Sequence, residues 1–415
     1  MKVWIAATVY AALVEGAVTG TRSSSTQESQ LSKPSSRGFT LQQIKNRNFS
    51  GPDGPMAFIR AHMKYAQKLP DSVSKAINVN VGLRMKFTTL HKGTDEEQTG
   101  TVSTYPTLGS DAEYAVMVGI GTPPQSIPLN LDTDSQVVNG QALYFPRLSS
   151  TSKPIDGDTW SIRYGDCSGA SGIVYEDTVQ IGNLSVYHQA VESAISVSRG
   201  MAKDTFVSGI IGLADHSANT ISPVAKRTFF ENVRDQLAMP VFTANLRSQA
   251  AGSYNFGYIN DAEHTSRVHY TPIDRSNPLW KISMSGYRVG NEQHQFTMHA
   301  IVDTGTSLML LPPEVVKEYY ARVKGSFLHP DLGMMVFPCS TKVPDFWISI
   351  GSYNGRVPGQ YVNYSRINYL YCFGGIQSSS GLPFSVLGDV FLKSQFVVFD
   401  YGNSSVGFAN KKLGV

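Results

Sequence analysis

Residues 298–306 read MHAIVDTGT, an apolar strand that runs into an Asp-Thr-Gly turn. Residues 127–133 read IPLNLDT, which is the same arrangement with a different continuation. An apolar-apolar-glycine segment follows each copy, GIIGLA at 209–214 and FSVLGD at 384–389. This internal repeat predicts two similar lobes, each of which places one aspartate at a strand-to-turn junction facing a shared cleft.

The aspartates of the two copies, Asp132 and Asp303, are the predicted catalytic pair. Two carboxylates that share a site do not both ionise at low cost, so the pair holds a single proton. The ionised member activates a water molecule while the protonated member polarises a peptide carbonyl, without a metal ion or a covalent intermediate. One Asp-Thr-Gly alone is more often an ordinary turn after a strand, and the repetition in matching context favours the catalytic interpretation.

Composition and hydropathy predict an exported β protein. The 415 residues are 41% hydrophobic and 11% aromatic, and short alternating runs between Gly and Pro dominate from about residue 112. This pattern predicts a mainly β fold with a large core. The apolar stretch 3–14 and the small residues at 16–20 are typical of a signal peptide at 1–20, although a buried N-terminal helix is the alternative. No later run is long enough to span a bilayer, so we expect an extracellular protein without a membrane anchor.

The three cysteines fit an oxidising compartment. Cys339 and Cys372 are the predicted disulfide, whose loop closure disfavours the unfolded chain by about 3 kcal/mol in the chain-entropy model. Cys167 then remains as a free thiol or an intermolecular partner. Sequons for N-glycosylation, which also occur by chance, are present at Asn48, Asn183, Asn363 and Asn403.

The N-terminal quarter of the chain carries the opposite charge to the rest. Residues 1–103 contain 13 Lys and Arg against 7 Asp and Glu, a net charge of +6, and residues 104–415 contain 22 against 25, a net charge of −3. Residues 91–103 are polar and predict an exposed, cleavable boundary. Because the basic segment follows an export signal and lacks interleaved aromatic residues, we expect it to bind its own acidic body rather than nucleic acid or a membrane. Residues 21–103 are therefore the predicted propeptide.

Four segments carry a resemblance to a known family: VGIGTPPQ at 118–125, IVDTGTSL at 301–308, CFGGIQ at 372–377 and VLGDVFLKS at 386–394. They resemble the pepsin-like aspartic peptidases, and the secreted fungal aspergillopepsin type in particular. The resemblance covers most of the chain, from about residue 104 to 410, with a weaker match in the leader. It implies a bilobal, mainly β fold around a central substrate cleft, with an N-terminal lobe at 104–295 and a C-terminal lobe at 296–415.

The resemblance also assigns roles to single residues. Thr133 and Thr304 are expected to brace the two aspartate loops through hydroxyl hydrogen bonds to the opposite lobe. The further supporting residues that it implies are Ser135, Gly305 and Thr306. Residues 160–166, WSIRYGD, are similar to the flap that closes over a bound peptide, whereas in isolation they read as an ordinary edge hairpin. The flap residues expected to face the substrate are Tyr164, Gly165 and Asp166.

In the leader, Lys64 and Tyr65 match the place where the prosegments of this family present a lysine to the catalytic carboxylates. An ammonium group between two aspartates holds both ionised and blocks water, and the charges of leader and body add a longer-range attraction. Without the family match, a solvated surface lysine is the more common interpretation. The resemblance thus implies that the propeptide inhibits the site it covers.

The first motif departs from the family pattern of Asp-Thr-Gly-Ser followed by a short strand with a Trp. Residues 132–140 read DTDSQVVNG, so Asp134 replaces the glycine, and the Trp-bearing strand is missing. A side chain at that position crowds the loop backbone, and a third carboxylate adds negative charge beside the pair. Cys167, near the flap tip, is a further departure.

These departures leave two functions open. The first is a secreted aspartic endopeptidase that hydrolyses proteins at acidic pH, and the second is a catalytically impaired, pepsin-like binding protein. Sequence motifs of serine hydrolases, zinc peptidases and P-loop proteins are absent, and His294 and His299 are spaced too irregularly to predict metal ligands. We expect no cofactor and no metal, a monomer, and protein substrates and the propeptide as the partners.

Overall fold

The computed structural model describes residues 2–5, 38–45, 51–65, 69–91, 114–132, 143–163, 169–197 and 208–413. Its helices are α1 (Gly54–Tyr65), α2 (Asp71–Val79), α3 (Val81–His91), α4 (Phe229–Val233), α5 (Pro313–Ala321), α6 (Gly359–Val362) and α7 (Asp389–Leu392). Its strands up to residue 222 are β1 (Lys2–Ile5), β2 (Phe39–Gln42), β3 (Ile44–Lys45), β4 (Tyr114–Ile120), β5 (Gln125–Asp132), β6 (Lys153–Arg163), β7 (Gly169–Ile181), β8 (Leu184–Val197), β9 (Gly209–Gly212) and β10 (Ile221–Ser222). The later strands are β11 (Val241–Asn245), β12 (Ser253–Phe256), β13 (His269–Pro272), β14 (Lys281–Val289), β15 (Glu292–Val302), β16 (Met309–Leu311), β17 (Phe327–His329), β18 (Met334–Pro338), β19 (Phe346–Ile350), β20 (Tyr353–Val357), β21 (Asn363–Arg366), β22 (Tyr371–Gly374), β23 (Ile376–Ser378), β24 (Ser385–Leu387), β25 (Gln395–Asp400) and β26 (Ser405–Asn410).

The first aspartate belongs to a nine-stranded sheet with the order β10-β6-β7-β8-β1-β9-β5-β4-β3. Along β5, every second side chain, Ile127, Leu129 and Leu131, is buried, as the period of two requires. Strand β5 pairs in parallel with β9, and this register places Asp132 opposite Gly212. Because parallel neighbours are covered on both faces, β9 is a continuous apolar run that is buried throughout.

The second aspartate lies in a seven-stranded sheet with the order β20-β19-β14-β15-β24-β16-β23. Strand β15 pairs in parallel with β24, and Val302 lies opposite Leu387. The amide of Asp303 donates to the carbonyl of Leu387 at 3.1 Å, and in the other lobe the amide of Leu213 donates to the carbonyl of Asp132 at 2.9 Å. The two similar β lobes predicted from the internal repeat are confirmed.

Two further sheets complete the body. A six-stranded sheet has the order β13-β26-β25-β11-β12-β2 and joins early, middle and late parts of the chain. A four-stranded sheet has the order β17-β18-β22-β21, and beside it Cys339 and Cys372 form a disulfide with a Cα–Cα distance of 5.0 Å. The predicted disulfide is therefore confirmed, and it closes a loop between residues 33 positions apart. No helix among the described residues has the length and apolar character that crossing a membrane requires.

The predicted propeptide contributes β2, β3 and helices α1 to α3, which pack on the body. The Phe39 ring, for example, stacks on Phe256 with 4.9 Å between ring centroids. Within the predicted signal peptide, residues 2–5 form strand β1, which lies between β8 and β9. The predicted lobe boundary at 295/296 falls within β15, and the one at 103/104 lies outside the described residues, as do Asn48 and Cys167.

Candidate active site

Asp132 and Asp303 meet at the centre of the molecule, and both are completely buried. Asp132 is the last residue of β5, and Asp303 directly follows β15. The Thr304 hydroxyl donates to the carbonyl of Leu131 at 2.9 Å, so the loop of one aspartate is hydrogen-bonded to the strand of the other. The amide of Gly305 donates to Asp303 Oδ1 at 2.8 Å, which orients that carboxylate.

Gly305 is the closest approach between the two halves of the site. A Cβ atom at this position would lie 2.0 Å from Asp132 Oδ1 and 2.1 Å from Asp132 Oδ2. Such distances are far inside van der Waals contact, so glycine is needed here for space rather than for an unusual backbone angle. The third position of an Asp-Thr-Gly motif therefore faces the carboxylate of the opposite motif.

Helix α1 delivers a cation to this pair. Lys64 Nζ lies 3.3 and 3.5 Å from the two carboxylate oxygens of Asp132, and 3.3 and 3.1 Å from those of Asp303. The next residue, Tyr65, donates its hydroxyl to Asp303 Oδ2 at 2.6 Å. The lysine is itself buried, so the ammonium and the two carboxylates form one desolvated cluster in which a single cation is paired with both aspartates.

Aromatic side chains support the strands behind the aspartates. Trp280 donates its indole N–H to the carbonyl of Leu213 at 3.0 Å, and the Tyr254 hydroxyl donates to the carbonyl of Leu131 at 3.4 Å. Burial raises the pKa of the Tyr254 hydroxyl, and the nearby carboxylates of Asp389 and Asp132 add to this shift, so the group stays a donor. Sequence analysis missed both aromatic residues, because buried Trp and Tyr in β segments read as ordinary core.

The second motif is also tied to helix α7. The amide of Asp389 donates to the carbonyl of Thr306 at 2.8 Å, and the amide of Val390 donates to the carbonyl of Ser307 at 3.0 Å. Thr306 is buried, and its contribution here is made through its backbone. The repeated apolar-apolar-glycine segment that precedes α7 thus lies directly behind the Asp303 loop.

Several predicted site residues lie outside the described part of the chain. These are Thr133, Asp134 and Ser135 of the first motif and Tyr164, Gly165 and Asp166 of the expected flap. The two arms of the hairpin are described, since β6 and β7 pair from Trp160 opposite Gly172 to Arg163 opposite Gly169. The predicted roles of these six residues remain predictions.

Two clusters of histidine and carboxylate groups lie away from the aspartates: Asp215, His216 and Glu231, and Glu292, His294 and Glu318. In the first, Glu231 is engaged elsewhere, because its carboxylate accepts from the amide of Thr228 and from the hydroxyl of Tyr401. In the second, Arg322 pairs with both carboxylates. Folding brings His294 beside Glu292 and Glu318, which the spacing of the histidines in the sequence did not predict, but both carboxylates already pair with Arg322.

Two matching β lobes that bring two buried aspartates to a common point define the class of two-aspartate endopeptidases. A family model described as "Eukaryotic aspartyl protease" matches residues 113–411, and the chain belongs to this family. It is 38% identical to endothiapepsin of Cryphonectria parasitica over 90% of each chain. It is 39% identical to podosporapepsin of Podospora anserina, with 90% of this chain and 91% of the relative covered. It is 37% identical to aspergillopepsin-1 of Aspergillus oryzae, with 91% and 93% covered.

A solved structure supports the fold independently. The aspartic proteinase from Irpex lacteus superposes with a TM-score of 0.63 at 24% sequence identity. The match covers 73% of this chain and 95% of that one. The predicted pepsin-like fold and membership of the aspartic endopeptidases are thus confirmed.

Proposed function

We propose that the chain is the precursor of a secreted endopeptidase that hydrolyses peptide bonds in proteins at acidic pH, with Asp132 and Asp303 as the catalytic pair. The observation that carries the proposal is the position of Lys64 Nζ, within 3.1–3.5 Å of all four oxygens of two buried carboxylates. A pair of buried aspartates this close to one cation is also close enough to share one proton once that cation leaves.

The reaction then follows from the pair itself. The ionised aspartate accepts a proton from a water molecule, which attacks the peptide carbonyl, while the protonated aspartate donates to the carbonyl oxygen. Gly305 and Thr304 keep the two loops in register, one by allowing the close approach and the other by its hydrogen bond to Leu131. We assign Thr133, Ser135 and Thr306 to the same supporting role.

Substrate binding is proposed to lie in the cleft that the propeptide fills. The hairpin of β6 and β7 has the position in the chain of a flap, and Tyr164, Gly165 and Asp166 at its tip would contact the peptide. A cavity of about 1280 Å³ lies beside Tyr65, and the apolar side chains that the body contributes to it include Val316, Leu328 and Met335. Such a lining suits bulky apolar side chains of a protein substrate.

Inhibition by the propeptide completes the proposal. Lys64 and Tyr65 occupy the place that the water molecule and the peptide carbonyl need, so the precursor is inactive until residues 21–103 leave. The net charges of +6 on residues 1–103 and −3 on the remainder strengthen the attraction at neutral pH. Export with a signal peptide at 1–20 is part of the same proposal, and its removal would take strand β1 out of the N-terminal sheet. A monomeric state is also proposed.

A second candidate, a binding protein without hydrolysis, has one specific observation in its favour. Gly305 shows how little space the third motif position offers in the second motif, and the first motif has Asp134 there. The proposed enzyme is tested by hydrolysis of denatured haemoglobin at pH 3–5 with acid-treated protein, with and without pepstatin. Cleavage that pepstatin blocks supports the enzyme, and a folded, processed protein that cleaves nothing supports the binding protein.

A further inference from the structure

We propose that His62 is a proton-operated release for helix α1, separate from the Lys64 contact with the aspartates. The proposal rests on the inhibitory role proposed above for Lys64 and Tyr65 of the propeptide and adds a regulatory residue to it. His62 lies two positions before Lys64 on the same helix and is completely buried. A charge on its ring would therefore be placed inside the interface that holds the helix in the cleft.

The imidazole is held as a neutral ring. Its Nδ1 lies 3.2 Å from the carbonyl of Phe58, an acceptor, which assigns the proton to Nδ1 and leaves Nε2 with a lone pair. Nε2 makes no hydrogen bond of normal geometry within the described residues, although the backbone of Ser380 is near enough to favour a proton slightly. The imidazole ring also packs against the Phe58 ring, with 4.2 Å between the ring centroids.

The charged groups around this histidine do not compensate a proton. On α1 itself the nearest titratable groups along the helix are Arg60 and Lys64, both like charges, and the Tyr65 hydroxyl. Across the interface, Asp132 and Asp303 already bind Lys64, and α5 contributes Lys317 and Tyr320 to the cavity that Phe58 and Tyr65 line. From the segment around Ser380, the group that faces the ring is the Ser380 backbone.

Burial lowers the pKa of His62 from 6.5 to about 4, with the backbone groups of Phe58 and Ser380 partly opposing the shift. Proton linkage gives the direction in which pH changes the docking of the helix. A released helix binds the proton near pH 6.5, whereas the docked helix does so only near pH 4, so docking weakens as the pH falls through this window and levels off below it. The full window corresponds to a loss of docking of roughly 300-fold. Release of the helix thus begins at a pH above that at which carboxylates of ordinary acidity take up protons.

The test is hydrogen exchange of the α1 amides in the intact precursor between pH 7 and 4, corrected for the intrinsic rate and read by mass spectrometry. The mass of the same sample shows that no cleavage has occurred, so the result does not depend on catalysis. In the native chain, protection of α1 should fall by roughly 100-fold over this range, because at pH 4 the docked ring is itself about half protonated. In His62→Leu and His62→Gln, which cannot take up the proton, protection should stay nearly level.

The matched control is His299→Gln, because His299 is exposed on β15 and should leave the native profile unchanged. His62→Gln could weaken docking at every pH because it places an amide in an apolar setting. His62→Leu suits these surroundings and still shows whether the pH dependence of α1 protection is lost. Equal slopes in the native chain and both His62 variants, or a level native profile, would overturn the proposal. Since hydrolysis is measured separately, a precursor that releases α1 but cleaves nothing would refute the enzyme and not the switch.

Discussion

The two lobes build the same sheet around their aspartates but complete it in different ways. In the C-terminal lobe, β16 follows the second motif directly along the chain and pairs antiparallel with β24. In the N-terminal lobe, the corresponding place beside β9 is taken by β1, from residues 2–5, which pairs with β9 in parallel. The next strand outward is also equivalent in the two lobes. In the C-terminal lobe β23 pairs with β16, and in the N-terminal lobe β8 pairs with β1.

This difference shows that the neighbouring strands define the position between β8 and β9. The facing edges of β8 and β9 present backbone donors and acceptors that need partners, and the apolar run of β9 needs cover. A segment of either direction and from any part of the chain meets both needs.

The second difference concerns the motif itself. Gly305 touches the carboxylate of Asp132, whereas the first motif carries Asp134 at the same position of its own copy. The second lobe therefore follows the family pattern at this contact, and the first departs from it.

The largest expected effect comes from Asp303→Asn, which removes the ionisable group from the intact motif. The pair then cannot hold one proton between two carboxylates, so kcat/KM for haemoglobin should fall by at least about 10³-fold. Asp235→Asn is the control, because the Asp235 side chain is 85% exposed and far less constrained. Activity of Asp303→Asn within tenfold of the native enzyme would contradict the assignment of the pair.

Gly305→Ala should be the next most severe change. The new Cβ would overlap the Asp132 carboxylate, and a displacement of about 1 Å between the loops costs roughly 100-fold in rate. Overpacking should also lower the free energy of unfolding by about 1–3 kcal/mol. Asp235→Ala is the control, because the Asp235 side chain lies on the body and is 85% exposed. Equal thermal unfolding and equal rates for the two variants would show that the close contact is unimportant.

Asp134→Gly makes the first motif equal to the second and should raise kcat/KM by roughly tenfold if the departure impairs the pair. Asp134→Asn separates the two reasons for impairment, since it keeps the size and removes the charge. A gain in both variants identifies repulsion between carboxylates, and a gain in glycine alone identifies crowding. No gain in either would mean that the first motif tolerates its aspartate.

The smallest expected effect is on stability and concerns β1. Trp4→Pro removes a backbone N–H from a strand that lies between two partners, so the melting temperature of the precursor purified with residues 1–20 intact should fall by roughly 2–4 °C. Gln27→Pro, in the polar stretch that predicts no regular structure, is the control. Identical melting curves for these two variants would show that residues 2–5 add no stability to the N-terminal lobe.

Much of the site was predictable because short contiguous motifs contain its reactive residues. An apolar strand that ends in Asp-Thr-Gly specifies a strand, a turn and a carboxylate within a few residues, and two copies predict the pair. The Cys339–Cys372 bridge was predicted in the same way, from cysteine count and spacing. Lys64 was found through the resemblance of the leader to a known prosegment.

Other features have no local signal. His62, Trp280 and Tyr254 read as ordinary helix or core residues, and their importance comes from the groups that folding places around them. The sequence also does not predict that residues 2–5 pair with β9. Strand partners that are distant in sequence are selected by free strand edges and by burial rather than by neighbouring residues.

Local sequence therefore specified the two aspartates, their strands, the disulfide and the basic character of the leader, since each depends on residue type and short spacing. Folding alone decided which groups surround each of them: the 3.1–3.5 Å contacts of Lys64, the absence of space at Gly305 and the buried setting of His62. The physical reason is that desolvation and close packing are properties of three-dimensional neighbours, and most of these neighbours lie more than 60 residues apart in the chain.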